Sequence, residues 1–234
     1  MNAIIQCHGV EKTYSQGAVA VPALRGIDLD VESGDFATLA GPSGSGKTTL
    51  LSLIGGLDRP SAGEIAVDGE SIGSMEINRL ADLRLHRIGF VFQSYSLIPV
   101  LSALENVEFI LRLLNVPRRE REVRAREVLR EVGLEGLEAR RPSRLSGGQQ
   151  QRVAVARALA PKPSIVLADE PTANLDSKNA DELIALMGRL NAASGITFLI
   201  ATHDARVIAH SRRQIEMIDG RITADERRDT PIAA

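Results

Sequence analysis

The sequence predicts an α/β fold with a helical segment inserted into it, on three observations. A short apolar run, Phe36–Ala40, passes through a glycine-rich stretch into a helix-like run at 49–54. Strand and helix patterns alternate again between residues 165 and 218. Between these halves, from about residue 101 to 159, the pattern is mainly helical.

Taken in order, Cys7 falls in an apparent strand, where a small buried hydrophobe fits better than a reactive thiol. Leu24, Ile27, Leu29 and Val31 include a period-2 stretch, with Asp28, Asp30 and Glu32 on the opposite face. Residues 64–68 read as a strand ended by Gly69, and 88–92 as another. In the helical part, Glu120 with Arg124 and Glu122 with Arg126 are spaced for i,i+4 pairs on a solvated face. Gly133 and Gly136 punctuate its end. Residues 165–168 form an apolar strand, a helix spans about 178–191, and Gly195 leads into a strand at 196–201. A last strand at 214–218 runs into the turn Asp219-Gly220, and residues 224–234 read as a polar, then featureless, frayed tail.

Composition narrows the class. The 234 residues are 44% hydrophobic and 25% charged, enough for one large α/β domain with a substantial core, or for two small lobes. The net charge of -2 lends no support to nucleic-acid binding, so no nucleic-acid partner is expected. A single cysteine excludes an internal disulfide and suits a reducing compartment. The first residues lack the basic and long apolar regions of a signal peptide, and no apolar run approaches about 18 residues. The expected location is cytosolic, with any work at a membrane depending on a separate anchor.

Gly41-Pro42-Ser43-Gly44-Ser45-Gly46-Lys47-Thr48 reads G-x-x-x-x-G-K-[ST] in a strand–loop–helix context, the pattern of a phosphate-binding loop. Glycines let successive backbone N–H groups converge on phosphate oxygens, and a helix N-terminus adds positive potential. Lys47 can reach the β- and γ-phosphates, and the Thr48 hydroxyl can bind Mg²⁺. The apolar run at 165–168 ends in Asp169 and Glu170: the first carboxylate is placed to hold Mg²⁺, the second to orient or deprotonate an attacking water. His203 follows the strand at 196–201, at the end of a parallel strand where α/β sheets place ligand contacts, so its ring N–H can meet the γ-phosphate. His8, His86 and His210 have no such context. Gln93 follows the strand at 88–92, and its amide can reach Mg²⁺ or the water. Leu145-Ser146-Gly147-Gly148-Gln149 opens a further helix with Ser146 as N-cap, a second anion-binding helix start. Two such starts in one ATPase suggest one nucleotide shared by two subunits.

Together these residues resemble the ATP-binding-cassette (ABC) ATPase family. Leu145–Gln149, followed by Gln150-Gln151-Arg152, is similar to the family's signature motif. The likeness extends in chain order through an aromatic stacker (Tyr14), the Walker A loop, the Q-loop (Gln93), the signature, the Walker B strand, the D-loop (Ala173-Asn174-Leu175-Asp176) and the switch histidine (His203), covering nearly the whole chain. It implies a P-loop NTPase core of ABC ATPase type with an antiparallel β subdomain and an inserted α-helical subdomain. The catalytic core would take about residues 1–92 and 161–224, the helical subdomain about 93–160, and a flexible tail 225–234. It implies ATP and Mg²⁺ as ligands, bound by Gly41 through Thr48 and by Thr49. Thr48, Gln93 and Asp169 would face the metal, and Glu170, His203 and Gln93 would serve hydrolysis. Tyr14 would stack on the adenine. It also implies a homodimer of cassettes formed with ATP, in which Ser146, Gly147, Gly148 and Gln149 of one subunit close over the other's nucleotide, and integral membrane permease subunits as partners. The chain would then lie peripherally at the cytoplasmic face of the inner membrane, with the 93–108 region receiving a permease helix.

Residues 57–63, 88–93, 102–107 and 168–172 look like the lipoprotein-releasing and macrolide-export group, although Ala173 replaces a frequent glycine and Ser96 a frequent asparagine. A cell-division-type ABC ATPase that signals without moving a solute is the alternative reading.

Overall fold

The computed structural model describes residues 3–16 and 19–228. Two sheets organise them. β1 (Ala3–Gln16), β2 (Val19–Glu32), β4 (Ala62–Val67) and β5 (Glu70–Ser71) form an antiparallel sheet in the order β2-β1-β4-β5. β3 (Phe36–Ala40), β6 (Ile88–Val91), β7 (Ile165–Asp169), β8 (Thr197–Thr202), β9 (Arg213–Ile218) and β10 (Arg221–Arg227) form a six-stranded sheet in the order β10-β9-β3-β8-β7-β6. Its pairs are parallel except for the β9–β10 hairpin.

The central parallel strands β3, β6, β7 and β8 are almost wholly apolar because both of their faces are covered, whereas β9, next to the hairpin edge, alternates buried and exposed side chains. Alternate side chains of β7 and β8 enter two different cores. Leu167 and Leu199 join Ile5, Ile27, Leu39 and Leu50 beneath the antiparallel sheet. Val166 and Phe198 join Val107, Val128, Val153 and Ile184 on the helical side. The break in the period-2 pattern between Leu24 and Ile27 is a bulge. The register shifts between the pairs Val10↔Ile27 and Glu11↔Arg25, so both residues stay buried.

The helices are α1 (Lys47–Ile54), α2 (Ile77–Arg87), α3 (Ala103–Leu113), α4 (Arg118–Glu131), α5 (Gly147–Leu159), α6 (Ser177–Ser194) and α7 (Ala205–His210). Helices α3 to α5 account for the helical segment read from the sequence. Ser102 and Ser146 each start a helix with a reciprocal box, to Glu105 and Gln149 respectively. Helix α2 was not anticipated; its buried stripe is only Leu80 and Leu83, too narrow to stand out in sequence.

Two sequence expectations need correction. Residues 224–227, read as the start of a frayed tail, complete β10. They are held there because Arg213, its side chain 7% exposed, bonds Asp225 at 2.8 and 2.6 Å and Asp35 at 3.1 Å, while Arg227 also reaches Asp35. Residues 229–234 of that expected tail lie outside the described residues. On α4, Glu122 pairs with Arg126 at 3.0 Å as expected, but Arg124 turns to Glu127 and to the Ala160 carbonyl rather than to Glu120.

Candidate active site

The loop between β3 and α1 is shaped by its last glycine. Gly46 caps α1 at φ 103°, and a Cβ there would stand 2.8 Å from both the Ala23 carbonyl oxygen and a Leu24 methyl. Only glycine lets the loop press against β2 at this point. Pro42, Ser43 and Gly44 face solvent. Helix α1 begins with no side-chain cap and no acid in its first turn, so its leading N–H groups are free for an anion. Lys47 is nearly buried, its ammonium donating to the carbonyls of Gly41 at 2.7 Å and Pro42 at 2.9 Å. The Ser45 hydroxyl is buried in the loop without a hydrogen-bond partner.

The parallel sheet then delivers two carboxylates beside the loop. The Thr48 hydroxyl donates to Asp169 Oδ1 at 3.0 Å, tying α1 to the end of β7. Burial pushes the Asp169 carboxyl above its ordinary pKa, against the bond from Thr48; Glu170 adds to the rise and Lys47 opposes it. Oxygen donors of this kind suit a hard divalent cation completed by phosphate oxygens and water. Glu170 takes a left-handed backbone, φ 45°, with its N–H bonded to the Ala201 carbonyl at 2.9 Å. That turn carries a cost of about 1–2 kcal/mol for a side-chain-bearing residue. It aims the carboxylate at β8, where Thr202 donates to Oε2 at 3.2 Å and His203 Nδ1 lies 2.7 Å from Oε1. A carboxylate only accepts, so the tautomer with hydrogen on Nδ1 fits this pair. The ring N–H expected at a phosphate is therefore committed to Glu170 in this conformation.

Lys47, Thr48, Asp169, Glu170 and His203 thus converge at the C-terminal ends of β3, β7 and β8. Gln93 follows β6, the neighbour of β7, with an exposed side chain; its carbonyl accepts from Asn174 Nδ2 at 2.9 Å. Tyr14 lies on β1, 39% exposed, its hydroxyl donating to Asp58 at 3.0 Å and the Lys12 ammonium 4.9 Å from its ring centre. Its strand partner is Val21, and β2 meets the phosphate loop a few residues on, at Ala23 and Leu24. The segment Ser146–Gln149 stands apart. The Ser146 hydroxyl accepts from the Gln149 backbone N–H at 3.3 Å and the Gln149 side-chain oxygen from the Ser146 backbone N–H at 3.0 Å, and a Cβ on Gly148 would come 2.6 Å from Asn179 Oδ1. Among the described residues no hydrogen bond joins this segment to 41–49 or to Asp169 and Glu170.

Sequence reasoning missed Thr202, which is fully buried and also accepts the Asp204 N–H at 3.0 Å. Asp204 accepts from Thr172 at 3.2 Å, and the Arg206 guanidinium holds its carboxyl below the usual range. A threonine before the histidine was visible in the sequence, but nothing local marked its hydroxyl as a partner of Glu170.

Comparisons with known proteins give the chain's relatives. A family profile described as ABC transporter matches residues 24–173. An uncharacterized ABC transporter ATP-binding protein of Thermotoga maritima is 46% identical over 228 residues, covering 97% of each chain. The lipoprotein-releasing system ATP-binding protein LolD of Anaeromyxobacter dehalogenans is 49% identical over 224 residues, covering 94% of this chain and 93% of that one. The solved dimeric cassette MJ0796, in a post-hydrolysis state bound to ADP and Pi, superposes with a TM-score of 0.89 at 40% identity, covering 98% of this chain and 99% of that one.

Proposed function

The chain belongs to the ABC transporter ATP-binding family, and we propose that it hydrolyses ATP in head-to-tail pairs to drive lipoprotein release through separate membrane subunits. One observation carries the pairing. Ser146 starts α5 exposed, with glycines behind it, yet bonds nothing around the phosphate loop of its own chain. A helix start open to an anion and remote from the chain's own loop fits the nucleotide of a second copy. The charge argument points the same way: a triphosphate is enclosed only when donors surround it.

In this reading the loop N–H groups and Lys47 bind the β- and γ-phosphates, which draws the ammonium off the Gly41 and Pro42 carbonyls. Tyr14 stacks on the base. Thr48, Asp169 and Gln93 hold Mg²⁺, which when bound neutralises phosphate charge. Glu170, steadied by Thr202 and His203, accepts a hydrogen bond from the attacking water and fixes its direction. No helix among the described residues is long and apolar enough to cross a membrane, so a spanning partner would supply the route. The exposed Val100, within the 93–108 region, and Phe109 and Leu113, just past it, would meet that partner at the cytoplasmic face. The relatives named for lipoprotein release support the cargo class.

The test of pairing mixes Lys47→Ala chains with Ser146→Ala chains, each inactive alone. The heterodimer then holds one site free of both substitutions, and activity should return. Recovery of none, with heterodimers present in the ATP-bound mixture, refutes the shared site.

A further inference from the structure

The turn that follows Gln93 is built in an unfavourable backbone and tied to α5 by one cation. Tyr95 and Ser96 are both left-handed, at φ 59° and 50°, and neither is glycine. Two consecutive side-chain-bearing residues in this region persist only where the surroundings impose them. Within the turn the Tyr95 N–H bonds the Phe92 carbonyl at 3.2 Å and the Ser96 N–H the Ser94 carbonyl at 2.6 Å, and the Tyr95 hydroxyl reaches the Asn174 carbonyl at 3.4 Å. Arg157 of α5 adds two ties from outside, its guanidinium donating to the Ser96 carbonyl at 2.5 Å and the Tyr95 carbonyl at 3.1 Å. At the other end of the segment, Asn174 Nδ2 holds the Gln93 carbonyl at 2.9 Å.

Arg157 is unusual in a second respect. Among the described residues it has no carboxylate within ion-pair distance, although burial pushes its pKa down. A partly buried guanidinium satisfied by neutral carbonyls gives up hydration without gaining an ion pair. Its return is geometric, because the donors of a rigid planar fork fix two carbonyl directions relative to each other, whereas an ammonium on a flexible stem rotates to suit its acceptors.

We propose that Arg157 is a positioning residue for ATP hydrolysis: by clamping the Tyr95–Ser96 turn to α5 it sets where the Gln93 side chain stands. This rests on the reading above, in which Gln93 faces the nucleotide. The clamp also ties the turn after Gln93 to the helix that Ser146 caps, since Arg157 lies on α5.

The experiment uses the full chain with Arg157→Met, Arg157→Lys and the double variant Arg157→Met/Ser96→Gly, measuring steady-state ATP hydrolysis, binding of a fluorescent ATP analogue and amide hydrogen exchange. The expected result for Arg157→Met is a fall in kcat of about tenfold or more from misplacement, with nucleotide affinity within about twofold. Amides of residues 93–101 exchange faster while those of β7 and β8 do not. Arg157→Lys recovers only part, and glycine at 96 restores some of the rate because it takes the left-handed turn without penalty. Unchanged kcat overturns the proposal, and so does a loss matched by faster exchange throughout the chain. Glu170→Gln, run alongside, separates the two levels. Full turnover there removes the proposed function and this inference together, whereas an inactive Glu170→Gln beside a fully active Arg157→Met removes this inference alone.

Discussion

His203 Nδ1 stands 2.7 Å from Glu170 Oε1, so the histidine that ends the β8 side of the site is bonded to the carboxylate that ends the β7 side. With Thr202 on the other oxygen at 3.2 Å, both Glu170 oxygens are engaged by the last residue of β8 and the residue after it. A carboxylate so held, on a backbone already turned to φ 45°, has little freedom left to lose when a water must be oriented.

Glu170→Gln keeps the shape of the side chain and can still accept from Thr202, but it cannot take a proton. Turnover should drop about 100-fold or more while ATP binding survives. The ATP-bound dimer should then accumulate, visible as a shift in size-exclusion elution. Hydrolysis at the native rate would take Glu170 out of the reaction.

Thr202→Val removes one hydroxyl in a fully buried position with almost no change of volume. It strips a hydrogen bond from a carboxylate, and the expected loss in kcat is about tenfold, roughly 1.4 kcal/mol. Thr202→Ser should retain most of the rate. Equal activity of the valine and native proteins would show that Thr202 does not steady Glu170.

Lys47→Ala acts earlier, on binding. With the ammonium gone, the phosphates lose their one mobile cation in the loop, and the dissociation constant for ATP should rise about tenfold or more. Equilibrium titration with a fluorescent ATP analogue reads this directly; unchanged affinity contradicts the phosphate-loop reading.

Asp35→Ala tests the hairpin rather than the site. Asp35 accepts from Arg213 and Arg227, and the Arg213 side chain is only 7% exposed. Removing the acid leaves Arg213 to Asp225 alone, at an expected cost of about 2–4 kcal/mol in urea unfolding. Activity per folded molecule should hold, and an unchanged urea midpoint would show the network to be dispensable.

Cys7 is buried in β1, where burial and then the neighbouring Asp30 and Asp28 push its thiol up to about 12. Only a thiolate attacks a disulfide reagent. The native protein should therefore stay unreactive to an aromatic disulfide from pH 7 to 9 and react with one equivalent in denaturant. Rapid labelling of native protein at pH 8 would refute this.

The phosphate loop, the acid pair Asp169-Glu170 and the N-cap Ser146 were legible in the linear order because each depends on neighbours in the chain. Glycine spacing, an apolar run and a capping residue are short-range sterics and short-range hydrogen bonds. The same local rules located most helices and strands, and failed where the stabilising group is distant. Residues 224–227 look featureless alone and become β10 only when Arg213 and Asp35 are present to bond them.

What the linear order determined by itself was the set of groups available: a glycine-rich loop with its lysine, acids at a strand end, a second glycine-rich helix start behind a serine cap. Only the tertiary structure decided who serves whom. Thr48 reaches Asp169 across 121 positions, Thr202 takes up Glu170 across 32, and Arg157 clamps a turn 61 and 62 positions away. The physical reason is that such bonds are set by the stacking of parallel strands and the seating of α5 against β6. Those follow from burying both faces of the sheet at once and leave no period or spacing in the chain.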